Sequence, residues 1–122
     1  MNSYRDLIVW QKSIKLVEEI YKLTSKFPKE EMFGLISQLR RATISIPSNI
    51  AEGFSRKSIK ENIQFISIAF GSTSEVDTQL IIAKNLGMIS GDSINNIEEL
   101  LVEIRKMLNT MHKNLKQRSA NG

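Results

Sequence analysis

The last third of the sequence carries an apolar repeat that strongly restricts how the chain can fold. Seven apolar residues alternate at spacings of three and four: Ile94, Ile97, Leu101, Ile104, Leu108, Met111 and Leu115. This spacing lines one face of an α-helix, because a helix completes a turn every ~3.6 residues. Such a seam is buried against other helices in a bundle or a coiled coil. The repeat therefore predicts an all-α domain.

Three further helices are predicted before this repeat from their end signals. Pro28 suits the first turn of a helix, Ser58 and Glu61 form a capping-box pair, and Gly87 suits a helix C-terminus. We expect a single domain over residues 1–122, with helices at about 4–26, 29–56, 59–86 and 92–117. Because short connections make sequential helices antiparallel, the predicted fold is an up-down-up-down four-helix bundle.

Two of these helices have core faces that can be listed. In the first helix the 3-4 spacing selects Leu7, Trp10, Ile14, Val17 and Tyr21. In the second it selects Leu35, Leu39, Thr43, Ile46, Ile50 and Phe54. Pro47 interrupts the second helix, and we predict a kink there because the apolar spacing continues in phase past it. Asn49 and Glu52, in the same segment, are assigned structural roles.

The turn near Lys57 predicts the register of the second and third helices. Opposed residues in this hairpin should have numbers that sum to about 115, an estimate that follows from antiparallel pairing. The small residues 71–74 would then face the stretch before Pro47, where they would allow the two backbones to approach closely. The same register sets Arg40 opposite Glu75, and we predict a structural ion pair between them.

Catalytic and metal-binding signatures are missing from the sequence. It has no cysteine and one histidine, His112, and it contains neither a glycine-rich phosphate loop nor a nucleophile motif. We therefore expect a protein that is not an enzyme and that uses no cofactor or metal. The longest apolar run, residues 80–83, is far shorter than a membrane span, and the first residues lack the apolar core of a signal peptide. These features predict no membrane association and a cytoplasmic location.

Positive charge is concentrated in the first half of the chain. Residues 1–60 hold eleven Lys and Arg against six Asp and Glu, within a formal net charge of +4. The first helix places a stripe of cations on one polar face: Arg5, Lys12, Lys15, Lys22 and Lys26. Secondary candidates are Arg41, Arg56, Lys57 and Lys60. Such a row suits contact with nucleic-acid phosphates, and a solvated lysine face is the alternative interpretation.

The surplus of apolar residues predicts self-association. In the third helix they extend beyond one stripe, to Phe65, Ile68, Ile82 and Leu86. The first helix adds Val9, Leu16 and Leu23, which lie off its predicted core face. We expect these seven residues to form a homo-oligomer interface. The alternative is an irregular bundle in which the third helix is simply central.

Three segments resemble a known family. Residues 39–53 (LRRATISIPSNIAEG), supported by residues 6–12 (DLIVWQK) and 71–75 (GSTSE), resemble the four-helix bundle proteins encoded by intervening sequences in bacterial 23S ribosomal RNA genes. Members of that family are similar in fold to the accessory variability protein of diversity-generating retroelements. The resemblance implies a homopentamer with a basic surface that engages RNA or DNA. Two functions stay open: a nucleic-acid-associated scaffold, and an adaptor that binds a protein partner without nucleic acid.

Overall fold

The computed structural model describes residues 3–121, which form four α-helices joined by short connections. The helices are α1 (Ile8–Thr24), α2 (Leu35–Ser55), α3 (Ile59–Asn85) and α4 (Asn95–Asn121), with single 3-10 turns at Tyr4–Asp6 and Lys29–Glu31. Each helix contacts the next one along the chain, and α4 closes the ring by contacting α1. The apolar spacing thus correctly predicted an all-α domain, and the helix contacts are consistent with the up-down bundle predicted from the short connections.

Pro47 lies inside a continuous α2 rather than at a break between two helices. Its ring nitrogen has no hydrogen to donate to the turn before it. In the same turn the side-chain amide of Asn49 donates to the carbonyl of Ser45 at 2.7 Å and to the hydroxyl of Ser45 at 2.9 Å. These bonds support the structural role predicted for Asn49. The kink at Pro47 stays a prediction.

Small residues hold α2 against α3. The hydroxyls of Ser45 and Ser72 are hydrogen-bonded at 2.8 Å, and their residue numbers sum to 117, within two of the predicted 115. Nearer the turn, a Cβ added to Gly53 would meet the Cβ of Phe65 at 3.1 Å. The backbones therefore approach closely, and the predicted register is confirmed to within about three residues. Of the small residues 71–74, Ser72 contacts α2, whereas Gly71 is exposed and the hydroxyls of Thr73 and Ser74 accept hydrogen bonds from Arg105 of α4.

The predicted core face of α1 is wrong by one residue, since most buried positions come directly before a predicted one. The buried face consists of Val9, Ser13, Leu16, Ile20, Leu23 and Thr24. Leu7, Trp10, Ile14 and Val17 are only partly buried, and Tyr21 is exposed. The true face was hidden in the sequence by its two hydroxyl residues. Ser13 and Thr24 can be buried because each donates to a carbonyl of its own helix at 2.7 Å.

This shift removes part of the predicted oligomer interface. Val9, Leu16 and Leu23 lie in the core of the single chain, so they are not available to a second subunit. Phe65 is partly buried, with the Arg56 guanidinium 5.1 Å from its ring centre. The other three residues, Ile68, Ile82 and Leu86, are exposed on α3. The apolar surplus of α3 therefore faces outward, whereas that of α1 does not.

The ion pair predicted between Arg40 and Glu75 is wrong. The Arg40 guanidinium turns toward α1, where its Nε donates to the hydroxyl of Thr24 at 2.9 Å and its carbon lies 4.3 Å from the ring centre of Tyr21. The hairpin register gives the height of a residue along the bundle but not the face on which it lies. Ser45, five residues later on α2, occupies the face toward α3.

The fourth helix begins later and ends later than predicted. It starts at Asn95 rather than near residue 92, and it continues to Asn121 instead of ending near residue 117. Neither glycine nor proline interrupts the sequence between residues 92 and 121, so nothing in it stops the helix. The last basic residues therefore extend the bundle.

Leu16→Ala tests the corrected core face of α1. Leu16 has no exposed surface, so we expect the substitution to lower the free energy of unfolding by about 2–5 kcal/mol. Ile8→Ala is the control, since Ile8 is 58% exposed, and its effect should stay within about 0.5 kcal/mol. Urea unfolding of dilute protein measures both. If Leu16→Ala cost nothing in dilute monomer, Leu16 would not be a core residue.

Candidate nucleic-acid interface

The turn between α2 and α3 is closed by side-chain caps. The hydroxyl of Ser58 accepts from the backbone N–H of Glu61 at 3.0 Å, which confirms the predicted start of α3. The amide of Asn62 donates to the carbonyls of Gly53 and Arg56 at the end of α2, where the Gly53 carbonyl also accepts from the backbone N–H of Arg56 at 3.3 Å. Lys57 and Lys60 are exposed on either side of Ser58. The turn therefore presents two cations from a firmly held backbone.

The antiparallel topology brings two other chain segments to this end of the bundle. The first turn of α1 and the last turns of α4 lie beside the α2–α3 turn, as one cavity lined by Leu7, Arg56 and Arg118 demonstrates. Cations from all these segments form what we call the basic end: Arg5, Arg56, Lys57, Lys60, Lys113, Lys116 and Arg118. All seven side chains are exposed.

The basic end accounts for the whole net charge of the chain. Only three acids, Asp6, Glu52 and Glu61, lie at the same end, so seven cations against three anions give +4. The chain has 17 Lys and Arg and 13 Asp and Glu in total, which leaves ten of each sign elsewhere. The rest of the molecule is therefore electrically balanced, and the excess positive charge is concentrated at one end.

Arg56 is held in place by two acids and an aromatic ring. Its guanidinium forms ion pairs with Glu52 and with Glu61, each at 3.2 Å, and it also lies over Phe65. Both ion pairs are solvent-exposed and so contribute little to stability. They do fix the side chain against the turn and offset its charge. The structural role predicted for Glu52 is thus to orient Arg56.

The cation stripe predicted on α1 is partly neutralised. Lys12 bridges to Glu103 of α4 at 2.8 Å, and Lys22 pairs with Glu19 at 3.2 Å. Lys15 and Lys26 are exposed, while Arg5 belongs to the basic end. The stripe therefore runs along the side of the bundle as separate charges, several of them beside acids.

Arg41 lies apart from both basic surfaces. It borders a groove between α2 and α3 that also includes Phe33, Gln38 and Glu75. The nine predicted contact residues thus fall into three places: the basic end, the side of α1 and the α2–α3 groove. That groove also contains Glu75, the residue predicted to pair with Arg40.

Three of the cations of the basic end were not identified from the sequence as contact candidates. Lys113, Lys116 and Arg118 lie at the end of the apolar repeat of α4 and just beyond it, and the sequence pattern assigned them no function. The useful signal was the uninterrupted helical pattern, which carries these residues to the level of the α2–α3 turn.

Neither a metal centre nor a membrane span is found between residues 3 and 121. In that part of the chain no three His, Asp or Glu side chains cluster closely enough to hold a metal ion. None of its helices combines the length and the apolar composition needed to cross a bilayer.

The fold is that of a small four-helix-bundle protein with a basic end. A model of the 23S rRNA-intervening sequence protein family matches residues 5–110, so the chain belongs to that family. It is also similar to a crystal structure of a protein of unknown function from the S23 ribosomal protein family of Bacteroides thetaiotaomicron VPI-5482. That likeness has a TM-score of 0.78 and 25% sequence identity, over 87% of this chain and 99% of the other. No curated protein matches this sequence.

Proposed function

We propose that this protein is a non-enzymatic scaffold that associates with RNA or DNA through phosphate contacts at its basic end. The observation that carries the proposal is the concentration there of the entire net charge of +4, supplied by three separate parts of the chain. Cations that neutralise phosphates release condensed counterions, and this release favours binding. Contacts to phosphate position a protein without reading sequence, so binding should tolerate many sequences.

The size of the basic end suits a nucleic-acid backbone. Helix axes in a bundle lie about 8–10 Å apart, so the end of four helices is roughly 20 Å across. Along one DNA strand a phosphate occurs every ~3.4 Å of helix axis, so that width spans about six phosphates. Lys57 and Lys60 on one turn and Lys116 and Arg118 on α4 would contact different phosphates.

The first prediction compares two basic surfaces by removing equal charge from each. The triple variant Lys57→Gln, Lys60→Gln, Lys116→Gln should lower affinity for structured RNA and duplex DNA at low salt by tenfold or more. It should also reduce the slope of log K against log salt by roughly 2–3, because up to three phosphate contacts are lost. Fluorescence anisotropy across a salt series measures both quantities.

The matched control removes three exposed lysines from α1 and the turn that follows it. Lys15→Gln, Lys22→Gln, Lys26→Gln has the same net charge as the first variant, so any general effect of charge is equal in the two. We expect the smaller loss from this control. A larger loss of affinity in the control would place the interface on the side of α1. If wild-type protein bound neither RNA nor DNA at low salt, a nucleic-acid role would be ruled out.

We also propose that the chain self-associates through the outward face of α3. Ile68, Ile82 and Leu86 are 43%, 43% and 64% exposed, and they recur at helical spacing on one side of that helix. Ile82 borders one groove, and Phe33, which is 97% exposed, borders a second. The two grooves adjoin, because Gln38, Glu75 and Gln79 line both of them. An exposed apolar surface of this kind is typical of an interface. Contact along α3 would leave the basic ends free.

The second prediction concerns assembly. Ile82→Glu places a charge in the proposed interface, so we expect it to reduce the assembled species to monomer without loss of helix content. Val102→Glu is the control, because Val102 is equally apolar and 49% exposed, but on α4. Sedimentation velocity gives the subunit number, for which the family resemblance implies five. Identical sedimentation of both variants and the wild-type chain would contradict this interface.

A protein-interaction adaptor is the second candidate function. The almost fully exposed ring of Phe33, with Met32 beside it at 46% exposure, would suit a partner polypeptide. Apolar binding of this kind survives high salt, whereas phosphate binding weakens steeply as salt rises. Salt dependence therefore distinguishes the two functions.

A further inference from the structure

The basic end contains a cavity that the phosphate contacts alone do not use. It has a volume of about 380 Å³ and lies where the start of α1, the α2–α3 turn and the end of α4 meet. Apolar side chains from α2, α3, α4 and the residue before α1 form most of its wall: Leu7, Phe54, Ile66, Met111 and Leu115. Its volume falls within the range of about 300–1,000 Å³ that is typical of small-molecule sites.

Phe54 supplies an aromatic surface in this wall. The residue belongs to the apolar row of α2, whose five other members are buried, yet Phe54 itself is 40% exposed. It is the next-to-last residue of α2, at the height where the core gives way to the cavity. Aromatic side chains of this kind stack on unpaired bases, and the stacking is tolerant of sequence because every base has a π-face.

The rim of the cavity is polar and positively charged. Arg118 and Asn114 extend from α4, and the oriented guanidinium of Arg56 lies across from them. An asparagine amide can both donate to and accept from the edge of a base, and arginine can hold a phosphate. An apolar wall with such a rim matches a flat ring that has a hydrogen-bonding edge and an attached anionic group.

We propose that this cavity accepts one unpaired base of a bound nucleic acid, with its phosphate on Arg118. The inference rests on the proposed nucleic-acid role and adds a preference to it: strands with an extruded or single-stranded base bind better than fully paired ones. Base pairs hold their bases in the stack, so a duplex reaches only the phosphate contacts.

The test uses two RNA hairpins that carry the fluorescent base 2-aminopurine, either as a single-nucleotide bulge or within a fully paired stem. We expect wild-type protein to bind the bulged hairpin at least fivefold more tightly and to change its fluorescence, while the paired hairpin binds with little change. Asn114→Trp, which places a large side chain at the rim, should abolish the preference and leave affinity for the paired hairpin unchanged. Asn109→Trp, at another exposed asparagine of α4, is the matched control.

A second variant keeps the test decisive if the tryptophan disturbs folding. Phe54→Ala removes the stacking ring and enlarges the cavity, whereas Asn114→Trp fills its rim. It should also abolish the preference for the bulged hairpin, because the base loses its stacking partner. Equal affinity of the wild type for both hairpins would overturn the cavity proposal but not the proposed phosphate contacts at the basic end. Failure to bind either hairpin at low salt would overturn the proposed function as well.

Discussion

The close packing of α2 against α3 determines where the candidate functional surfaces lie. A serine pair, Ser45 and Ser72, bonds the two helices at 2.8 Å, and Gly53 leaves just enough room for Phe65. Larger side chains at these positions would push the helices apart, because a packed core does not absorb added volume without strain. This contact fixes the height of the α2–α3 turn, and through it the positions of Lys57 and Lys60. The α2–α3 hairpin is thus the frame on which α1 and α4 pack.

The α2–α3 hairpin also separates the outward face of α3 from the basic end. The outward face of α3 carries exposed apolar residues along the side of the bundle, while the excess charge lies at the end that holds the α2–α3 turn. A protein that self-associates through its sides can present several basic ends in one assembly. Multiple weak phosphate contacts then act together, and binding is strengthened without any new contact within a single chain.

Much of the fold was predictable from local patterns in the sequence. The seam of α4 and the cap at Ser58 were read correctly, because each depends on residues that are close together in the chain. The predicted register of α2 and α3 depended only on the position of their turn. The face of α1 was misread because Ser13 and Thr24 satisfy their own hydroxyls and so occupy the core. Arg40 was misassigned because a register does not specify which side of a helix faces its neighbour.

The candidate site was less predictable than the fold. Its cations come from residue 5, from the α2–α3 turn and from the end of α4, and only the folded topology brings these together. Sequence spacing favours rows on one helix, which is why the stripe on α1 was the more visible pattern.

The most direct test of the basic end is amide chemical-shift mapping of labelled protein with a short single-stranded RNA at low salt. We expect the largest changes within residues 56–62 and 111–118. Changes concentrated along residues 12–26 would contradict this expectation.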